Sequence, residues 1–192
     1  MTGFEKMLLD KIHTIPILKT QSFFRIFGFI NILCYGASHF IPEKDYLHHY
    51  GYTGSGRNTD LIRSNFGSNK FANVCWTAPS LIYFGQKMHN KLGPLIMLKF
   101  TLLAFFGIIA WKSAFNPSFM PTYRTSLPKI DSNGSGYYLG ADQLAQSIMF
   151  FTLFYHKYWY TGLALMGLSF GYYGPMTLGG PLTGMFAAMT LI

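Results

Sequence analysis

Long apolar runs separated by polar breaks follow one another along this chain, and they predict six membrane-spanning helices. A helix needs about 20 mostly apolar residues to cross a bilayer. The runs cover residues 22–41, 71–88, 92–111, 139–155, 158–172 and 176–192. Pro42 ends the first run, and Gly174 and Pro175 separate the last two. We therefore expect an all-α, polytopic membrane protein, with an N-terminal interfacial segment over residues 1–21 and a six-helix membrane domain over residues 22–192.

Two longer polar stretches, residues 43–69 and 112–138, are predicted to be loops, and a short interfacial helix is expected near residues 60–66. Lys99 lies inside the third apolar run, where a charge is costly and normally faces a cavity, a partner or the interface. It would either form a buried ion pair with a neighbouring subunit or extend its flexible side chain to the membrane surface. We favour the second interpretation.

The histidines and cysteines do not predict a metal or redox centre. His48 and His49 are adjacent and would point in different directions on a helix, and no carboxylate or cysteine converges on them in sequence. Cys34 and Cys75 lie in separate apolar runs without a CxxC partner. We expect both cysteines to be buried as small apolar side chains.

The composition also indicates a membrane protein. Half of the residues are hydrophobic, 18% are aromatic and only 11% are charged, whereas a soluble domain carries roughly 25% charged residues. The net charge is +8, and the basic residues stand singly between the apolar runs. No basic stripe or base-stacking motif accompanies them, so we expect no nucleic-acid partner. Single cations beside spanning helices are typical of chains that contact anionic lipid.

The charges next to the short turns predict the orientation. With six spans both termini lie on one side of the membrane, and Lys87, Lys91 and Lys157 fall in short turns on that side. Four acids fall in the loops on the opposite side, namely Glu43, Asp45, Asp60 and Asp131. Because basic residues near the spans favour the inner side, we expect both termini to face the cytosol or the matrix.

Two glycine-containing blocks carry a resemblance to a known family. An apolar run ends in Phe84-Gly85, and Gly93 follows eight residues after Gly85. The last predicted helix contains Leu178-Gly179-Gly180-Pro-Leu-Thr-Gly184. Both blocks resemble the rhomboid family of intramembrane serine proteases, and the resemblance extends over residues 22–192.

The resemblance implies a rhomboid-like six-helix bundle and assigns its helix-packing positions. Gly85 and Gly93 would let the second and third helices turn tightly and pack closely. Three glycines of the sixth helix would allow close contact with the fourth helix, which begins near Gly140; they are Gly179, Gly180 and Gly184.

The same resemblance implies that the protease chemistry is lost. The family's nucleophilic serine corresponds to Asp142, its general base to Thr177, and its oxyanion-stabilising pair to Asn73 and Thr77. A threonine does not accept a proton near neutral pH as histidine does, and a carboxylate would repel a developing oxyanion. We therefore expect no enzymatic activity from these four degenerate positions.

Asp142 has two interpretations. It would form a polar pair with Thr177, Asn73 or a neighbouring subunit, or it would cap the fourth helix and complement the helix dipole from the first turn. We favour the helix-terminal role, since Gly140 and Tyr138 precede it and water is near.

The expected function is that of a non-catalytic, rhomboid-like accessory subunit in a respiratory complex of the mitochondrial inner membrane, with both termini in the matrix. The abundant Phe, Tyr, Ile, Asn and Lys are typical of AT-rich protist genomes, in which such lineage-specific subunits occur. The expected partners are other membrane subunits and a phospholipid such as cardiolipin, and no cofactor is expected beyond structural lipid. The alternatives are a derlin-like quality-control factor of the endoplasmic reticulum and a small transporter or channel component.

Overall fold

A computed structural model describes residues 3–16, 22–51, 58–68, 71–114, 141–173 and 178–191, and this part of the chain is all α-helical. The expected all-α class is confirmed for these residues. In chain order the helices are α1 (Gly3–Thr14), α2 (Phe23–Ser38), α3 (Glu43–Tyr50), α4 (Asn58–Arg63), α5 (Phe71–Leu92), α6 (Pro94–Ala114), α7 (Ala141–Tyr155), α8 (Trp159–Tyr173) and α9 (Gly179–Thr190).

The six apolar runs coincide with α2 and with α5 to α9. Among the helices described, α6 is the one that is both long enough and apolar enough to cross a membrane, with 21 residues. Helix α2 is apolar but has 16 residues, and α5 has 22 residues but carries several polar ones. Six spans are therefore still a prediction, whereas six helices at these positions are a feature of the structure.

The first polar stretch contains more regular structure than expected. It forms α3 as well as α4, and α3 was missed because its sequence, EKDYLHHY, is mostly polar. Helix α3 buries Tyr46 and Leu47 against the rest of the fold. The second predicted loop is also wrong at its beginning, because α6 continues to Ala114. Residues 115–138 lie outside the described part of the chain.

The N-terminal helix α1 is attached to α6 by an ion pair between Lys99 and Glu5. The Lys99 side chain is 43% exposed and the Glu5 side chain 23%. The charge inside the third apolar run is thus compensated within the same chain, which neither interpretation of Lys99 anticipated. The pair is partly accessible, so we expect it to contribute less than about 1 kcal/mol.

Short signals in the sequence begin and end the helices at one end of the bundle. The Ser22 hydroxyl accepts a hydrogen bond from the Arg25 amide at 3.1 Å and caps α2. Gly93 separates α5 from α6 with φ +82°, a left-handed conformation that glycine adopts without strain. Pro94 then begins α6, where its missing N–H is not needed. Gly93 therefore provides the tight turn that its position implies.

Helices α2 and α5 pack closely in antiparallel directions. A Cβ placed on Gly85 would lie 2.5 Å from the Phe24 Cβ, and one placed on Gly28 would lie 2.6 Å from Ile82 Cγ1. Gly85 thus permits a close approach between the second and the first of the six helices. The expected role of Gly85 in packing the second helix against the third stays a prediction, because the atoms nearest to its added Cβ belong to α2 and its cap.

Helices α7 and α9 pack in parallel and even more closely. A Cβ on Gly180 would collide with the carbonyl oxygen of Gln143, and one on Gly184 would collide with that of Ser147. A Cβ on Gly179 would lie 2.7 Å from Gln143 Oε1. The backbones therefore touch along two helical turns, which is the approach that the resemblance implies for these glycines. Gly140 lies outside the described residues.

Aromatic rings join the helices at the centre of the bundle. Phe100 of α6 stacks on Phe24 of α2, with ring centroids 5.0 Å apart, and on Phe151 of α7, with centroids 4.2 Å apart. All three side chains are completely buried. Stacked and offset rings add to the stabilisation from burial, so this column fixes α2, α6 and α7 relative to one another.

Candidate functional site

The predicted oxyanion pair is not a pair in the structure. The Thr77 side chain is fully buried, and its hydroxyl donates a hydrogen bond to Asn31 Oδ1 at 2.8 Å. Asn73, one turn earlier on α5, is exposed. Asn31 in turn donates from Nδ2 to the carbonyl oxygen of Phe66 at 3.1 Å. Thr77 therefore takes part in a hydrogen-bonded connection between α5, α2 and the segment after α4.

Asp142 occupies the first turn of α7, as the helix-terminal interpretation predicted. Its carboxylate also has a favourable coulombic interaction with the Lys112 ammonium at the end of α6. Neither interpretation of Asp142 named Lys112. Thr177, the other half of the degenerate protease pair, lies outside the described residues.

Lys112 is the centre of the strongest polar cluster in the described part of the fold. Its side chain has no exposed surface. Its Nζ donates to Asn65 Oδ1 at 2.5 Å and to Ser64 Oγ at 3.1 Å, and both acceptor side chains are buried. A buried ammonium is tolerated only where hydrogen bonds and an opposite charge replace its water shell. Two oxygen acceptors and the carboxylate of Asp142 replace part of that water shell here.

The segment of residues 64–68 is held in place from three helices. Lys112 of α6 binds its beginning and Asn31 of α2 binds Phe66. Tyr46 of α3 binds its end, because the phenol donates to the Ser68 carbonyl at 3.0 Å and accepts from the Ser68 amide at 3.1 Å. Buried backbone groups outside regular structure need such partners. Lys112, Asn31 and Tyr46 together therefore anchor this segment to three helices.

Burial raises the pKa of Tyr46 from 10.0 to about 12, and the hydrogen bond with Ser68 offsets only part of that rise. A group whose pKa is higher in the folded protein stabilises the fold below its unfolded value and loses that contribution as the pH rises through the folded value. Ionisation of Tyr46 should therefore loosen the anchored segment between about pH 10 and pH 12.

Tyr46→Phe tests the anchor directly. It removes both hydrogen bonds to Ser68 while keeping the ring, and it leaves a buried amide and carbonyl without that partner. We expect unfolding in detergent micelles to become easier by about 1–3 kcal/mol. The variant should also lose part of the destabilisation between about pH 10 and pH 12. Tyr160→Phe at a 91% exposed position is the matched control; an equal loss there would contradict the assignment.

Ser64 and Lys112 are also a hydroxyl and an amine within hydrogen-bonding distance of each other. A serine hydroxyl next to a lysine amine can act as a nucleophile when the amine is neutral and substrate reaches the hydroxyl. Here Ser64 is completely buried, so its hydroxyl is closed to any substrate in this fold. The amine donates to Ser64 and Asn65 and does not accept from them in its charged form. The geometry therefore suits an anchor better than a catalytic dyad.

The histidines and cysteines do not converge in the described residues. His48 and His49 are exposed on α3, with ring centroids 5.9 Å apart. Across residues 3–16, 22–51, 58–68, 71–114, 141–173 and 178–191, no three His, Cys, Asp or Glu side chains are close enough to hold a metal ion. Cys34 is buried as expected, whereas Cys75 is exposed, which corrects its expected burial.

The sequence analysis missed the residues of the Lys112 cluster. Lys112 was counted as a loop charge, because the apolar run ends at Trp111. Ser64 and Asn65 fell within the short interfacial helix expected near residues 60–66, whereas they follow α4, which ends at Arg63. The one available signal was Asn31, a polar side chain in the middle of an apolar run, since such residues inside a membrane helix normally need a polar partner.

Comparison with known proteins finds no relative of this chain. The chain matches no protein-family model, no curated protein and no solved structure.

Proposed function

We propose that this chain is a non-catalytic, rhomboid-like integral membrane protein with a structural role, acting as an accessory subunit of a respiratory complex in the mitochondrial inner membrane. The observation that carries the membrane role is the distribution of polarity across the bundle. Polar side chains lie inside it, and large apolar side chains lie on its surface.

Buried polar side chains lie on α2, α5, α6, α7 and α9, at the cap of α2 and in residues 64–68. Asn31 and Thr77 are at most 1% exposed, Lys112 is completely buried, and so is Ser147, which bonds the Leu144 carbonyl. A bilayer favours this arrangement, because a polar group that faces lipid must find its hydrogen bonds within the protein.

The exposed apolar side chains belong to several helices. Five examples, each at least half exposed, are Phe29, Leu33, Phe106, Leu168 and Phe186. Only 28% of the most apolar part of α6 is buried inside the fold, whereas the central helix of a soluble protein is mostly buried. An apolar surface on this scale suits lipid or neighbouring membrane helices better than water.

The non-catalytic part of the proposal is supported by the surroundings of the degenerate positions. The nucleophile position holds a carboxylate that interacts with Lys112, and the Thr77 hydroxyl is bonded to Asn31. Asn73 is exposed. The rhomboid-like part is supported by the close parallel contact of α7 and α9 at Gly180 and Gly184.

Gentle extraction from native membranes tests the structural role. An affinity-tagged chain should withstand alkaline carbonate extraction, migrate in a large assembly on a native gel, and co-purify with respiratory subunits in stoichiometric amounts. Recovery with ubiquitin ligase and ATPase components would instead support the derlin-like alternative. A chain released by carbonate would contradict the membrane role itself.

A fluorophosphonate probe tests the absence of protease chemistry. We expect no labelling of the detergent-purified chain, because Asp142 occupies the nucleophile position and Ser64, the serine bonded to Lys112, is completely buried. An active rhomboid protease treated in parallel is the positive control. Serine labelling that disappears in Ser64→Ala would show that the Lys112 cluster is a catalytic dyad and would overturn the non-catalytic proposal.

A further inference from the structure

Basic side chains meet at the opposite end of the bundle from Lys112. Lys87 and Lys91 lie in the last turns of α5 and are exposed, and His156 and Lys157 form the turn between α7 and α8. We call these four residues the basic end. The Lys91 ammonium lies over the Tyr155 ring, 4.6 Å from its centroid, which brings α5 and α7 together at this point.

The lysine charges at the basic end disfavour a further positive charge on His156. The pKa of His156 is lowered from its usual 6.5, first by partial burial and then by the positive charges of Lys91 and Lys87. Lys157 adds a further charge from a left-handed backbone conformation with φ 63°, which L residues rarely adopt. Glycine would occupy that position more easily, so the turn carries a charge where backbone preference disfavours it.

No acidic residue within α5, α6, α8 or α9 neutralises this charge. The sequence contains no Asp or Glu between residues 61 and 130 or between residues 143 and 192. Helix α1 does not neutralise the basic end either. Its two acids, Glu5 and Asp10, are balanced by Lys6 and Lys11, and Glu5 is already paired with Lys99. An anion from outside the chain would therefore be attracted to the basic end.

Aromatic and then aliphatic side chains continue directly from the basic end along α8. Tyr158 is 60% exposed and Tyr160 is 91% exposed. Leu163 and Leu168 follow, and both are more than half exposed. The order of cation, amphipathic ring and alkyl chain matches the order of phosphate, glycerol and acyl chain in a phospholipid, with tyrosine at the headgroup level.

We propose that the basic end binds the phosphate of an anionic phospholipid whose acyl chains lie along α8. Lys87, Lys91 and Lys157 provide the charge, and Tyr158 and Tyr160 lie at the level of the glycerol backbone. This inference rests on the proposed membrane role, and it adds a ligand class and a location. The phosphates of a nucleic acid or the carboxylates of an acidic protein would pair with the lysines but would not bury the exposed leucines beside them.

Lipid titration of the purified chain in neutral detergent tests the site. The probes are dioctanoyl-phosphatidylglycerol, dioctanoyl-phosphatidylcholine and inorganic phosphate. We expect the anionic lipid to bind more tightly than the other two probes. We expect the double variant Lys87→Gln, Lys91→Gln to bind it about 30-fold more weakly, since each lysine near anionic lipid contributes about a fivefold effect.

The matched control is Lys44→Gln, Arg63→Gln, which removes the same charge from exposed positions on α3 and α4. Its affinity should stay within about twofold of the wild type, because these side chains lie on the helices next to the Lys112 cluster. Equal losses of lipid affinity in the two double variants would show that binding depends on net charge alone. That result would overturn the proposed site. Inorganic phosphate binding as tightly as the lipid would overturn the lipid assignment.

A separate measurement distinguishes failure of this inference from failure of the membrane role. Carbonate extraction and the unfolding midpoint are measured for every variant. A chain that resists carbonate but binds anionic lipid equally well with and without Lys87 and Lys91 overturns the lipid site alone. A chain that carbonate releases overturns the membrane role on which the site depends.

Discussion

Lys112→Ala is expected to lower the free energy of unfolding by about 3–5 kcal/mol, which is among the largest effects of a single substitution in this protein. The change removes the donor that Ser64 and Asn65 share at 3.1 and 2.5 Å. Both acceptors are buried, so water does not replace the lost hydrogen bonds without opening the fold. It also leaves Asp142 without its coulombic partner at this site and a cavity where the lysine stem lay.

Lys112→Met separates the charge from the volume. Methionine fills most of the space of the lysine stem and avoids the cavity, but it donates no hydrogen bond. We expect a loss of about 1–3 kcal/mol, smaller than the loss in Lys112→Ala. Lys44→Ala, at an exposed position on α3, is the control for removal of a lysine and should change stability by less than about 0.5 kcal/mol.

Reversible unfolding in mixed micelles provides the measurement for these three variants. If Lys112→Ala proves as stable as Lys44→Ala, Lys112 does not anchor residues 64–68. A double-mutant cycle with Asn65→Leu gives a second result. The Lys112→Met and Asn65→Leu changes should be non-additive by about 0.5–3 kcal/mol, because they remove two ends of one hydrogen bond. Strict additivity would contradict the contact.

Gly184→Ala is the second large expected effect. Its added methyl group would collide with the Ser147 carbonyl oxygen and lie 2.9 Å from the Phe151 amide nitrogen. Neither atom belongs to a flexible side chain, so α7 and α9 must separate. We expect a loss of about 1–3 kcal/mol, and a larger loss when Gly180→Ala is added, because overpacked interfaces relax only by backbone movement.

Gly167→Ala on α8 is the matched control. Nothing lies within 4 Å of a Cβ at that position, and the residue is in the middle of a helix. Alanine is a better helix former than glycine, so the control should be neutral or stabilised by up to about 1 kcal/mol. Thermal unfolding in the same detergent compares the variants. A Gly184→Ala protein as stable as Gly167→Ala would exclude direct backbone contact between α7 and α9.

The helices were more predictable from the sequence than the polar contacts. Apolar runs of the right length located α2 and α5 to α9, because hydrophobic spacing is a local property. Helix α3 escaped detection because its amphipathic character depends on just Tyr46 and Leu47. Lys112 escaped because its position after Trp111 looks like the edge of a membrane span.

The glycines and Lys99 also show which contacts are predictable from the sequence and which are not. Close backbone contact at Gly180 and Gly184 was implied by the family resemblance, and it is possible because glycines one turn apart line one face of a helix. The partner of Gly85 was not implied, because spacing along one helix does not say which neighbour it meets. The pairing of Lys99 with Glu5 joins residues 94 positions apart, and neither local pattern indicates the other.

By itself, then, the sequence determined that the chain is helical, where the apolar helices lie and which glycines permit close packing, because each depends on composition or period over one or two turns. Only the tertiary structure decided that Lys112 is buried and what it binds. Its acceptors Ser64 and Asn65 are 48 and 47 residues away, in a segment without regular structure. A buried charge persists only where distant groups replace its water shell, and that condition is met by the assembled fold and not by any single segment.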